Sequence, residues 1–191
     1  PWLIGILSIL CLAGVACFTA AVFRIRRPFG CIAAAAVVTA FPTAASTFAY
    51  MFTAYSYFLG LLLAAFGAYA AVRWGWPGTA LGAVSITLSL GIYQSYFPVA
   101  AVMLVGALLL DVLDGDRPFK ALFLRGLRYV ATLAASMAAY MVLVRITTRD
   151  MGLTGYHGIS SMGQISLKDV PKLICKGYGK CLSFFLKNDL G

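Results

Sequence analysis

The stretch Tyr57-Phe-Leu-Gly-Leu-Leu-Leu-Ala-Ala-Phe-Gly-Ala-Tyr-Ala-Ala-Val72 decides the fold. A helix on the surface of a soluble protein shows a polar stripe at each turn, and this run shows none. Lipid is therefore its natural surrounding. It closes on Arg73, Trp74 and Trp76, a basic and aromatic group of the kind that settles at a membrane–water interface. Composition agrees: 62% of the 191 residues are hydrophobic and 11% charged, too few polar side chains to cover a soluble globule.

Apolar runs recur on both sides of this stretch. Before it, residues 2–23 run to the cluster Arg24, Arg26, Arg27 and Pro28, and residues 30–48 rise again through Pro42. After it, residues 79–113 are too long for one span, and Gly91–Pro98 supplies a polar, proline-containing break. Runs at 76–93, 97–113 and 129–144 complete a count of about six spans, each needing roughly 20 residues. The expected fold is an all-α polytopic bundle over residues 1–145. Residues 146–191 read as an extracytoplasmic polar segment and an amphipathic interfacial helix leading toward a further span. With no initiator Met, no recognisable signal peptide and a final apolar approach, the chain reads as an internal fragment.

Basic residues orient the bundle. Arg24, Arg26, Arg27, Arg73, Arg117, Lys120, Arg125 and Arg128 follow the first, third and fifth runs, while the turns after the second and fourth hold none. The positive-inside rule makes the first set cytoplasmic. Tyr50–Ser56, Tyr93–Tyr96 and the region from Arg145 onward then lie outside. Topology thus accounts for half of the basic residues behind the net charge of +9. Membrane lipid is the expected partner, and nucleic acid is not.

Cys11, Cys17 and Cys31 behave as small apolar residues within spans. Cys175 and Cys181 have neither the spacing nor the histidines of a zinc site, so no metal or cofactor is called for, and a bridge between them stays open. All six acidic residues are Asp. Asp111, Asp114 and Asp116 read as a cytoplasmic loop, and Asp150, Asp169 and Asp189 as outer residues. A chain with no carboxylate in a span is not built like an ion-coupled transporter core.

Two constellations carry chemistry. In Gly91-Ile-Tyr-Gln-Ser-Tyr-Phe-Pro98, Tyr93 and Gln94 offer hydroxyl, amide and aromatic groups suited to sugar hydroxyls, or else form an ordinary interfacial belt. Arg145 and Arg149, four residues apart, share a helix face if the sixth helix continues, where they would clamp a phosphate or snorkel to headgroups. Beyond them stand His157, Ser161 and Gln164; His157 has no nearby carboxylate to orient it as a base. In the tail, Lys168, Lys172, Lys176 and Lys180 recur every four residues opposite Val170, Ile174, Tyr178, Cys181 and Phe185. That pattern predicts an amphipathic helix on the membrane surface over 167–186.

The segment Phe48-Ala-Tyr-Met-Phe-Thr-Ala-Tyr-Ser-Tyr-Phe-Leu-Gly-Leu-Leu-Leu63, the signature Ser89-Leu-Gly-Ile-Tyr-Gln-Ser-Tyr96 and the stretch Tyr156–Gln164 resemble the GtrII-type glucosyltransferases, bacterial polytopic membrane proteins. The resemblance implies an enzyme of the GT-C type in the cytoplasmic (inner) membrane. Such an enzyme moves a glucosyl or related residue from a polyprenyl-phosphate donor to a cell-surface glycan acceptor such as O-antigen. It also implies a catalytic carboxylate in an early outer loop; no outer loop before Arg145 contains one, so it is expected upstream of Pro1. On this reading the donor phosphate sits near Arg145 and Arg149, Tyr93 and Gln94 hold the sugar or acceptor, and Ser161 and Gln164 add hydrogen bonds. A polysaccharide flippase or polymerase and a non-catalytic multi-spanning subunit are the rival classes.

Overall fold

In the computed structural model, residues 2–50, 52–115, 118–151, 172 and 174–180 are described. They are helical, with no strand among them: α1 (Trp2–Val22), α2 (Pro28–Ala40), α3 (Pro42–Ala49), α4 (Ala54–Arg73), α5 (Gly75–Ile92), a single 3-10 turn (Gln94–Tyr96), α6 (Phe97–Asp114) and α7 (Phe119–Met151). Residues 1–145 form one compact unit and residues 146–191 a second. Residues 174–180 of the second unit are helical and exposed, and the remainder of the expected 167–186 helix, apart from Lys172, lies outside the described residues.

Among the described residues, four stretches are long and apolar enough to cross a membrane: Trp2–Val22, Ala54–Arg73, Gln94–Asp114 and Phe119–Thr147. The second run of the sequence is a bent pair. Pro42 follows Phe41, whose extended backbone breaks the ladder, and α2 meets α3 at 49°. Counted as one span, the pair brings the number to five. The remaining helix, α5, has 18 residues, but Thr79, Ser85, Thr87, Ser89 and its glycines dilute its apolar character.

Those small and polar residues are what let α5 pack. Its most extensive partner is α4, and the two backbones meet with little between them. A Cβ added to Gly82 would sit 2.6 Å from the Gly67 carbonyl oxygen, and one added to Gly78 would land on the Ala70 carbonyl. Lipid gives no hydrophobic drive for helix association, so small-residue contact and interhelical hydrogen bonds take its place. Ser89 Oγ donates to the Gly60 carbonyl at 2.6 Å, and Thr87 Oγ1 lies 3.2 Å from the Ser136 carbonyl on α7. Buried Thr132 and Ser136 mark the α7 face turned to this seam. The apolar centre lies beside it: Val15 and Val22 of α1, Ala65, Ala68 and Ala71 of α4, Met103, Leu104 and Ala107 of α6, and Tyr129 of α7.

At one end of the unit, the assignment of Asp111 and Asp114 to a loop is corrected. Both belong to α6, and Asp111 is 2% exposed. Arg24 donates from Nη2 to Asp111 Oδ1 and from Nη1 to Asp114 Oδ2, and Arg125 Nη1 donates to Asp111 Oδ2 at 2.6 Å. Arg125 and Arg128 are likewise helical rather than loop residues, because α7 starts ten residues earlier than the apolar run, at Phe119 rather than Tyr129. Their guanidiniums donate to the Val72 and Ala71 carbonyls at 3.2 and 3.0 Å, satisfying last-turn groups of α4 that have no helical partner.

Arg24 also shapes the chain. The bonds Ile25 N to Ala20 O (2.9 Å) and Arg24 N to Ala21 O (3.3 Å) close α1 in the manner that normally uses glycine. Arg24 holds that position at φ 55°, a left-handed conformation costing roughly 1–2 kcal/mol for a side-chain-bearing residue. Its two carboxylate partners hold it there, and the hydrogen bond it donates to Asp111 is the foremost influence raising the guanidinium above its ordinary pKa.

Candidate functional site

The opposite end of the same unit is aromatic. At the end of α5 the chain leaves the helix at Tyr93, in extended conformation, makes the 3-10 turn Gln94–Tyr96 and re-enters α6 with Pro98 in the first turn. Proline there removes an N–H that the helix start would leave unpaired anyway, so the break predicted at Gly91–Pro98 follows from local chemistry. Gly60 of α4 makes room for it. A Cβ at that position would lie 3.1 Å from Ile92 Cγ2 and 3.2 Å from Tyr96 Cδ2.

Three tyrosines meet there. The Tyr93 ring stands edge-on to Tyr57 (centroids 5.3 Å apart, 89°) and to Tyr96 (5.1 Å, 69°), edge-to-face geometries that aromatic quadrupoles favour. Tyr93 remains 43% exposed, so its ring is available as a platform. Gln94 Nε2 donates to the Tyr140 hydroxyl of α7 at 2.5 Å. Leu90, Gly91, Ile92, Tyr93, Gln94, Ser95 and Tyr140 line an open depression of about 260 Å³. Its lining mixes the apolar side chains of Leu90 and Ile92 with hydroxyl and amide groups of Tyr93, Gln94, Ser95 and Tyr140.

Tyr93 and Gln94 thus stand together with Tyr96 of the same break, as the sequence suggested, whereas Tyr57 and Tyr140 were not foreseen. Tyr57 was signalled only as part of an apolar run, and Tyr140 lies 46 residues from Gln94 in another run. Arg145 lies on α7, which continues through Arg149 to Met151 as the four-residue spacing required. Arg145 makes contacts of its own there; the Arg149 side chain and residues His157, Ser161 and Gln164 lie outside what is described.

Apolar helices of spanning length, joined by small-residue seams and carrying polar groups at their ends, define a multi-pass α-helical membrane protein. Within that class, the chain matches the family described as Glucosyl transferase GtrII over residues 1–189 and belongs to it. Its reaction class is accordingly glucosyl transfer. Comparison with curated proteins and with solved structures gave no match.

Proposed function

We propose that this protein takes a glucosyl residue from a polyprenyl-phosphate donor and attaches it to a cell-surface glycan such as O-antigen, at the outer face of a bacterial inner membrane. Six crossings, with α2 and α3 as one bent span and α5 as another, give the topology. The arginine end then faces the cytoplasm and the tyrosine end faces out. The observation that carries the proposal is the depression where Tyr93 and Gln94 stand beside Tyr140. A hexose offers apolar C–H faces to an aromatic ring and hydroxyls to an amide, and this end supplies both.

Arg145 and Arg149, one turn apart on α7, hold the donor phosphate; guanidinium suits that task because it donates several hydrogen bonds in a fixed fork. To the same substrate we also assign His157, Ser161 and Gln164, the latter two as hydrogen-bonding residues.

The test is transfer of labelled glucose from polyprenyl-phosphate glucose to acceptor glycan in membranes containing the protein. Arg145→Ala with Arg149→Ala is expected to lower transfer by at least about tenfold, from the loss of charged hydrogen bonds worth roughly 1.5–3 kcal/mol each. Undiminished transfer would sink the phosphate clamp. Undiminished transfer in Tyr93→Ala and Gln94→Ala together would sink the sugar site.

A further inference from the structure

Tyr140 lies on α7, outside the signature around Gly91–Tyr96, yet its hydroxyl is bonded to Gln94 of that turn. Gln94 sits in a three-residue 3-10 turn at the surface, where a long amide side chain has several rotamers to lose on binding. Its Nε2 is fixed on the Tyr140 hydroxyl at 2.5 Å. That bond uses one amide hydrogen, leaves the carbonyl oxygen as an acceptor, and leaves the phenolic hydrogen of Tyr140 to donate. Tyr140 can impose this order because it is itself held. It is half-buried and packs against the cluster of Ala64, Ile86, Leu90 and Ala100 contributed by α4, α5 and α6.

We propose that Tyr140 is the positioning residue of the sugar site: it presets the Gln94 carboxamide so that its oxygen accepts from a hexose hydroxyl. It thereby ties the sugar-holding turn to the helix that carries the phosphate-holding arginines. The inference rests on the sugar-site reading above, and adds that the amide works only when Tyr140 orients it.

A double-mutant cycle in membranes tests this, reading KM and kcat separately for polyprenyl-phosphate glucose with the acceptor glycan in excess. Tyr140→Phe keeps the ring and its packing and deletes only the hydroxyl. It is expected to raise KM about fivefold with little change in kcat, the scale of one neutral hydrogen bond. Gln94→Ala is expected to raise KM at least as much. In the Gln94→Ala background Tyr140→Phe is expected to be silent, because its partner is gone. Two results would overturn the positioning role: a Tyr140→Phe protein with unchanged KM while Gln94→Ala remains impaired, or effects that add in the double variant. If Gln94→Ala is itself silent, the sugar-site reading fails first and the positioning role with it.

Discussion

Replacing Asp111 with Asn is the sharpest probe of the arginine end. The carboxylate is 2% exposed and each oxygen accepts from a different guanidinium, Arg24 on Oδ1 and Arg125 on Oδ2. Asn keeps the shape but replaces one accepting oxygen with a donating NH2, which then faces an arginine donor. Removing one member of a buried ion pair costs about 3–5 kcal/mol. Here Arg24 is 43% exposed and keeps Asp114, so the expected loss is smaller, about 2–4 kcal/mol. Reversible unfolding by SDS in mixed micelles reads that difference directly. Adding Arg125→Met should recover part of it, because the guanidinium left facing the amide is only 16% exposed. The two changes should then couple by at least about 1 kcal/mol. A loss under about 0.5 kcal/mol for Asp111→Asn, or strict additivity, would refute the view that this carboxylate fastens α1, α6 and α7 together.

Other consequences follow from the same geometry. Arg24→Gly and Arg24→Ala both lose the ion pairs, but only glycine relieves the left-handed backbone at φ 55°. In the same unfolding assay the alanine variant should therefore be less stable by about 1 kcal/mol. Because Asp111 and Asp114 hold the Arg24 guanidinium above its ordinary pKa, its contribution is fully present below the unfolded value and fades only as pH rises through the folded one. Removing Arg24 should then cost the same at about pH 6 and pH 9, as unfolding at the two values will show. Gly78→Ala forces a methyl onto the Ala70 carbonyl and should cost about 1–3 kcal/mol, whereas Gly91, with nothing within 4 Å of an added Cβ, should tolerate alanine as a matched control. Ser89→Ala deletes the 2.6 Å bond to the Gly60 carbonyl and should cost about 0.6 kcal/mol, the average for such bonds between membrane helices.

Hydropathy made the long helices legible, and proline made the break before Pro98 legible, because both are local signals. What it missed is non-local. Asp111 read as a loop residue because its partners, Arg24 and Arg125, lie 87 and 14 residues away, and a charge near the end of an apolar run looks solvated until its partners are known. The α1 terminus carried no glycine to mark it, since ion pairs hold Arg24 in the glycine-like position. Pro42 was visible, yet whether a proline bends a span or ends one depends on what packs around it. At the aromatic end, Tyr93 and Gln94 stood out because polar and aromatic residues interrupt a hydrophobic stretch. Tyr140, inside the run 129–144, differs from its neighbours by one hydroxyl whose use appears only when α7 lies beside the turn.

In the proposed mechanism, the depression at Tyr93–Ser95 faces outward and receives the sugar of a lipid-linked donor. A single cysteine at Ser95, which lines the depression and is exposed, tests both parts at once in a chain whose five native cysteines have been replaced. A membrane-impermeant maleimide is expected to label Ser95→Cys from the outer side of sealed membranes, and polyprenyl-phosphate glucose to slow the labelling while polyprenyl phosphate alone slows it less. Labelling only from the cytoplasmic side, or at a rate the donor leaves unchanged, would contradict it.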